Sequence, residues 1–233
     1  MPISTLKNSF EDFLALFFPE YCLGCSDVLY KHEQNICLKC QMSMPLANYH
    51  QSAQESPLGL KFKGRVPLRF ALAYLIYQKG SMVQSIIHKL KYDGEREVGV
   101  HLGRLYGLDL KASGLTFDLI APVPLHPHKE QQRGYNQAAA FGEGLSEVLS
   151  IPMKENLLYK TVFGQSQTKK STSARWLSVE NTFATKYPQD IANKHILLVD
   201  DVVTTGSTLE ACSQVLLKAG CSAVSIAAIA NAQ

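Results

Sequence analysis

Residues 196–208 read Ile-Leu-Leu-Val-Asp-Asp-Val-Val-Thr-Thr-Gly-Ser-Thr. Ile196 to Val199 form a short apolar run of the kind buried in a parallel sheet. Two adjacent carboxylates, Asp200 and Asp201, end the run, and Val202 and Val203 separate them from Thr204, Thr205, Gly206, Ser207 and Thr208. From Ser207 onward the apolar positions take helical spacing. The stretch therefore predicts a buried strand, a polar loop and a helix N-terminus. Amides and hydroxyls at such a terminus suit an anion, because the helix dipole favours negative charge there. Paired carboxylates accept hydrogen bonds from sugar hydroxyls. A 5-phosphorylated ribose carries both groups.

Outward from this stretch the chain alternates strands and helices. Arg69–Tyr77 is predicted as a strand. Ser81–Lys91 is predicted as an amphipathic helix with Ser81 as N-cap and Val83, Ile86, Ile87 and Leu90 on one face. Glu95–Leu110 and Asn136–Leu149 are further predicted helices. Asp118–Val123, Leu157–Val162 and Ala223–Ala230 are predicted strands, and Ser207–Ala219 is a helix that Gly220 closes. This alternation predicts an α/β fold with an open, mainly parallel sheet covered on both faces. Ligands of such sheets bind at the carboxyl ends of the strands.

The chain has 233 residues, 46% hydrophobic and 18% charged, which suits a soluble globular protein of one large domain with room for a small module. A net charge of +3 is too small to argue for nucleic acid or an anionic membrane. No apolar run approaches the ~20 residues of a membrane span. Glu11 and Asp12 interrupt the apolar residues from Phe10 to Phe18, which argues against a secretory signal. Phe10, Phe13, Leu14, Phe17 and Phe18 share one face at helical spacing, which predicts a helix packed on its own domain. The six cysteines are expected in a reducing cytoplasm, which disfavours disulfides.

Cys22-Leu-Gly-Cys25 and Cys37-Leu-Lys-Cys40 are two Cys-x2-Cys pairs with eleven residues between them. Each pair spans one edge of a tetrahedron, and four thiolates close a structural Zn2+ site with no open position. Two disulfides, or a redox Cys-x2-Cys, are the other readings of these residues. Metal binding would supply most of the folding energy of so small a module, on the order of 10 kcal/mol. His32 reads as a loop histidine, and Cys212 and Cys221 as core thiols. Residues 41–64 contain Pro45, Pro57, Gly59 and Gly64 and a polar run from Gln51 to Ser56, and so read as a linker. The expected division is 1–60 for the N-terminal helix, cysteine module and linker, and 61–233 for the α/β domain.

The run from Leu198 to Thr208 resembles the signature of the type I phosphoribosyltransferases, which bind phosphoribosyl pyrophosphate (PRPP). The resemblance implies that Asp200 and Asp201 serve the ribose hydroxyls at the catalytic centre. It implies that Thr204, Thr205, Gly206, Ser207 and Thr208 hold the 5-phosphate, with Gly206 allowing close approach of the backbone. More of the chain resembles a narrower family, ComF. The residues that carry this are Ala121-Pro122-Val123-Pro124-Leu125-His126-Pro127, Arg133-Gly134-Tyr135-Asn136-Gln137, the cysteine pairs, and His88-Lys89-Leu90-Lys91-Tyr92-Asp93-Gly94. ComF proteins are phosphoribosyltransferase-like, often described as amidophosphoribosyltransferase-like, and some members are needed for DNA uptake in natural competence.

The loop after Val123 leaves its strand at the expected ligand edge and carries Arg133, whose guanidinium suits pyrophosphate oxygens. A solvated helix start is the other reading of Arg133 and Gln137. His126 and His128 flank Pro127 and read as an extended turn rather than a metal pair. Lys91 has two readings, a phosphate contact and a surface lysine. PRPP chemistry implies Mg2+, which Asp200 and Asp201 can hold directly or through water. Residues 164–175 are polar and basic, and similar proteins place a substrate-covering loop there. Gln167, Thr168, Arg175, Asn181 and Phe183 resemble the family's pattern, although the spacing from Arg175 to Asn181 departs from it. Lys169 and Lys170 read as a solvated charge run or as pyrophosphate contacts.

Two functions are expected. One is a cytoplasmic glycosyltransferase of nucleoside metabolism that moves ribose 5-phosphate from PRPP to a nitrogen acceptor and releases pyrophosphate. The other is a ComF-type competence factor in DNA uptake, binding single-stranded DNA or a helicase or other competence partner without turnover. A complete glutamine-using amidophosphoribosyltransferase is disfavoured, because no cysteine follows Met1 and no glutaminase domain is present. The sequence has no basic-aromatic platform of the kind that stacks bases. No residue pattern names the acceptor.

Overall fold

The computed structural model describes residues 17–161 and 182–232. In chain order the strands and principal helices are β1 (Ala71–Tyr77), α1 (Met82–Tyr92), α2 (Arg96–Ala112), β2 (Leu119–Pro122), α3 (Pro127–Arg133), α4 (Gln137–Leu149), β3 (Tyr159–Lys160), β4 (Phe183–Ala184), β5 (His195–Val203), α5 (Ser207–Lys218) and β6 (Ala223–Ala232). Four strands form one sheet in the order β1-β6-β5-β2. Every pairing in it is parallel, with Ala71 opposite Ile226, Ile196 opposite Val224, and Leu119 opposite Ile196. The apolar run at 196–199 therefore has strands on both sides. It also has helices above and below. Gly142 of α4 lies against Val199 and Ile120, whereas Cys212 of α5 is buried within the field of Asp200. Neighbouring strand residues face opposite ways, so α4 and α5 cover opposite faces. This double cover explains why four consecutive apolar residues, rather than an alternating pattern, precede Asp200.

The helices form for the local reasons the sequence suggests. Ser81 accepts a hydrogen bond from the Gln84 amide at 3.3 Å and caps α1, whose Val83, Ile86, Ile87 and Leu90 are buried. Asn136 caps α4, accepting from the Ala138 amide at 3.0 Å. The crossing of α2 and α4 is close because Gly103 and Gly144 meet there, where an added side chain would strike the opposing backbone.

Three local features differ from expectation. Leu157–Val162 is not a strand of the main sheet. Among its described residues Tyr159–Lys160 form a strand, and they pair antiparallel with Phe183–Ala184 in a separate small sheet. The apolar signal there came from Leu157 and Leu158, which are buried without joining a ladder. His126 and Pro127 begin a helix rather than an extended turn. Pro127 occupies its first turn, the His126 ring accepts from the His128 amide at 3.2 Å, and Gly134 ends it at φ 80°. Residues 41–64, which read as a linker, carry helical turns at Tyr49–Glu55 and Pro57–Leu60. They are bonded to the sheet: Ser56 Oγ donates to the Ala71 carbonyl at 2.5 Å, and Asn231 Nδ2 donates to Tyr49 Oη at 3.0 Å. Leu58 and Phe62 are fully buried.

Residues 10–16 of the expected N-terminal helix lie outside the described residues, as do the 164–175 loop, Lys169, Lys170, Arg175 and Asn181. Among the described residues no helix is long and apolar enough to cross a membrane.

Candidate functional site

Asp200 and Asp201 lie where β5 leaves the covered part of the sheet, and both are half-buried. Each folds one carboxylate oxygen back onto the strand. Asp200 Oδ1 accepts from the Asp201 amide at 2.8 Å, and Asp201 Oδ1 accepts from the Val202 amide at 2.5 Å. The second oxygen of Asp201 is paired with a cation, because Lys91 Nζ lies 2.8 Å from Asp201 Oδ2. Lys91 comes from the last turn of α1, and its side chain is only 21% exposed. Burial first, and then the neighbouring charge of Asp201, push the Asp200 carboxyl up to about 7. The edge thus holds two adjacent carboxylates, one of which gives up its proton reluctantly, and a built-in cation.

The loop beyond the carboxylates turns sharply into α5. Gly206 is the residue before the helix, at φ 76° and ψ 2°, and offers no capping side chain; the Ser207 amide donates at 3.4 Å to Thr205 Oγ1. A side chain at Gly206 would be strained by that φ. It would also meet the Phe62 ring, whose Cζ lies 2.6 Å from the Cβ position. The glycine therefore makes room for a protein ring from below. Thr204, Thr205, Ser207 and Thr208 are exposed, and Thr205 Oγ1 and Ser207 Oγ share a hydrogen bond at 3.1 Å. Two carbonyls of the loop are held by cations. Lys61 Nζ donates to the Thr204 carbonyl at 3.2 Å, to Asn231 Oδ1 at 2.9 Å and to the Ala232 carbonyl at 2.6 Å. Arg65 donates to the Thr205 carbonyl at 3.0 Å and is paired with Glu210 of α5. With these carbonyls engaged, the exposed hydroxyls of Thr204, Thr205, Ser207 and Thr208 stand at the start of α5. That arrangement suits a phosphate-sized anion.

The loop between β2 and α4 meets the same edge. Val123 donates to the Val199 carbonyl at 2.9 Å, and Asn136 Nδ2 donates to the Val123 carbonyl at 2.9 Å. Arg133 donates to Gln137 Oε1 at 2.8 Å and lies 5.6 Å from the centre of the Tyr92 ring. Tyr135 Oη donates to the Leu90 carbonyl, which ties this loop to the end of α1. A cavity of about 420 Å3 opens between β1, α1 and the end of β5, lined by Tyr77, His88, Lys91, Tyr92, Val202 and Thr204. Its size is that of a small-ligand site.

The four cysteines of the N-terminal pairs converge, with all four Sγ atoms within 4.8 Å of one another. Cys25 Sγ and Cys37 Sγ are 3.8 Å apart. A tetrahedral zinc with Zn–S bonds of about 2.3 Å would set an edge of roughly 3.8 Å. Cys22 accepts from the amides of Gly24 at 3.4 Å and Cys37 at 3.3 Å. Burial alone would raise the Cys22 thiol, but hydrogen bonds from backbone amides outweigh it and hold the thiol down at about 6. The donor set and spacing fit a closed, four-thiolate structural metal. An added side chain at Gly24 would meet Met82 of α1 at 2.9 Å, so this knuckle lies directly on that helix.

Residues 136–233 match the phosphoribosyl transferase domain family. Along 93% of its length the chain is similar to competence protein F of Haemophilus influenzae, at 27% identity and across 99% of that protein. It is 32% identical over 146 residues to the DNA utilization protein YhgH of Escherichia coli, covering 60% of this chain and 63% of that one. The chain thus carries a phosphoribosyl transferase domain and is similar to these competence and DNA utilization proteins. A solved glutamine PRPP amidotransferase from B. subtilis aligns with 61% of this chain and 30% of its own, at 18% identity and a TM-score of 0.44.

The matched domain contains Asp200, Asp201 and the residues from Thr204 to Thr208. Arg133 stands just before it. Lys61, Phe62, Arg65 and Lys91 lie far before it in sequence and are the residues that position the edge. Lys91 has two readings in the sequence, and the other three carry no signal there. Their partners are 140 or more positions away, and no local spacing marks them.

Proposed function

We propose that this chain binds PRPP with Mg2+ at the carboxyl edge of its sheet and transfers ribose 5-phosphate to a nitrogen acceptor, releasing pyrophosphate. The observation that carries this reading is the glycine-led N-terminus of α5, with its exposed hydroxyls, set directly after the half-buried carboxylate pair on β5. The 5-phosphate sits against the amides and hydroxyls of Thr204 to Thr208, where the helix dipole favours it. Asp200 and Asp201 accept hydrogen bonds from the ribose hydroxyls and so orient the ring. Arg133, whose guanidinium lies over the Tyr92 ring, faces the pyrophosphate.

The donor set fits Mg2+. Carboxylate oxygens are the ligands this ion takes, and Asp201 Oδ2 already accepts a cation, the Lys91 ammonium. When bound, the ion offsets charge on the departing pyrophosphate. The chain's own contribution is positioning and a fixed electrostatic field around an oxocarbenium-like ribosyl centre. Four thiolates hold a structural Zn2+ away from this chemistry, in a reducing cytoplasm.

Calorimetry of PRPP with and without Mg2+ tests the reading. Binding is expected only with the metal, and Asp200→Asn is expected to abolish it. Undiminished binding by that variant would sink the proposal. Pyrophosphate release in a screen of nucleobase and amine acceptors then separates turnover from binding alone.

The similarity to competence protein F over nearly the whole chain favours a second reading, a role in DNA uptake through single-stranded DNA or a partner protein. It predicts affinity for single-stranded DNA that falls steeply with salt. Absence of binding by the zinc-loaded chain would count against it.

A further inference from the structure

Lys91 is unusual among the lysines near the candidate site, because its ammonium lies on one of the two carboxylates expected to meet the ligand. Its Nζ is 2.8 Å from Asp201 Oδ2, and neither side chain is more than 21% exposed. On its other side Lys91 borders the cavity of about 420 Å3. The ammonium therefore has two places within the reach of one flexible stem: the carboxylate, and the cavity beside Tyr92 and Thr204.

We infer that Lys91 is a ligand-positioning counter-cation. In the ligand-free chain it neutralises Asp201, and on ligand binding it yields that oxygen to the divalent ion and turns to the anionic end of the ligand. This rests on the PRPP·Mg2+ reading above. Charge balance at close range demands this. Two carboxylates on neighbouring residues repel each other in a poorly hydrated place, and a lysine cation relieves this when no ligand is present. A divalent ion and an ammonium cannot share one oxygen without strong repulsion, so arrival of the ion displaces Nζ. The same ligand brings pyrophosphate charge to the edge, and Lys91 and Arg133 lie in contact with or next to Tyr92 to receive it. The lysine thus keeps the pair folded and closed to bare cations, and later becomes part of the grip.

The inference predicts changes of opposite sign from one substitution. The full chain is titrated with Mn2+ alone, read by electron paramagnetic resonance, and with PRPP plus Mg2+, read by calorimetry. Lys91→Met is expected to bind Mn2+ about tenfold more tightly and PRPP with Mg2+ about tenfold more weakly, the size of one charged contact. Lys91→Arg, which keeps the cation, is expected to stay near wild type in both. A lysine with a merely structural role would weaken both ligands on removal, and that result overturns the inference, as does no change in either. If wild type binds Mn2+ but no PRPP, and Lys91→Met still tightens Mn2+, the PRPP reading fails while the counter-cation role at Asp201 holds.

Discussion

The cysteine cluster and the carboxylate edge are built on opposite plans. All four thiolates of the first come from residues 22–40, and the amides that tune Cys22 come from the same short stretch. The second shows its chemistry in residues 200–208 but takes its supports from elsewhere. Lys61 and Arg65 pin its carbonyls, Phe62 fills the space under Gly206, and Lys91 neutralises Asp201. A metal ion is a strong enough organiser to need little scaffold. A loop that must present amides to a passing ligand has to be held by the protein itself.

The largest test of this contrast is removal of the metal. Chelation, or Cys37→Ser, is expected to unfold residues 20–43 while the sheet persists. Hydrogen exchange would show protection lost at Cys22 to Met42 and kept at β5. The interaction removed is on the order of 10 kcal/mol. Cooperative loss of the whole chain would show that the two plans are not separate.

Gly206→Ala attacks the other plan. Strain at positive φ and overlap with Phe62 together are expected to cost about 2–4 kcal/mol in chemical denaturation. Combined with Phe62→Ala, the loss should be smaller than the sum, because the overlap disappears. Strict additivity would mean that Phe62 does not wedge the loop.

Lys61→Met is expected to leave most of the stability in place but weaken PRPP binding about tenfold, as the Thr204 carbonyl is released and the loop loosens. Calorimetry checks it. Equal affinity would make Lys61 a tie for β6 alone.

The last test concerns pH. Asp200 titrates near 7 in the folded chain against an ordinary 3.8, chiefly through burial. An acid whose folded value is raised adds stability while protonated, and that contribution is lost as pH rises from the unfolded value through about 7. Asp200→Asn does not titrate. The melting temperature of the ligand-free variant, relative to wild type, is therefore expected to rise by a few degrees between pH 5 and pH 8. A flat difference would show that Lys91 and solvent already compensate the charge.

The same contrast explains what could be read in advance. Strand β5, the turn at Gly206 and helix α5 follow from neighbouring residues, as do the two cysteine pairs. The α3 helix was legible too, from Pro127 at its start and Gly134 at its end, but it is short enough to pass for a turn. Leu157 and Leu158 signalled burial, and burial alone does not specify a ladder. Lys61, Phe62, Arg65 and Lys91 carry no such local mark. Their importance arises from the sheet order, which brings the end of β5 against segments distant in sequence.

That sheet order also limits how portable the site is. The family match begins at residue 136, after β1 and β2. A fragment cut at that border would retain β5, α5 and β6 and every group of the 200–208 loop. It would leave β5 and β6 with bare outer edges where β2 and β1 now pair, an invitation to self-association. It would also lack the ring beneath Gly206 and the ammonium behind Thr204. Grafted onto another scaffold, the signature residues alone would carry the chemistry without the shape.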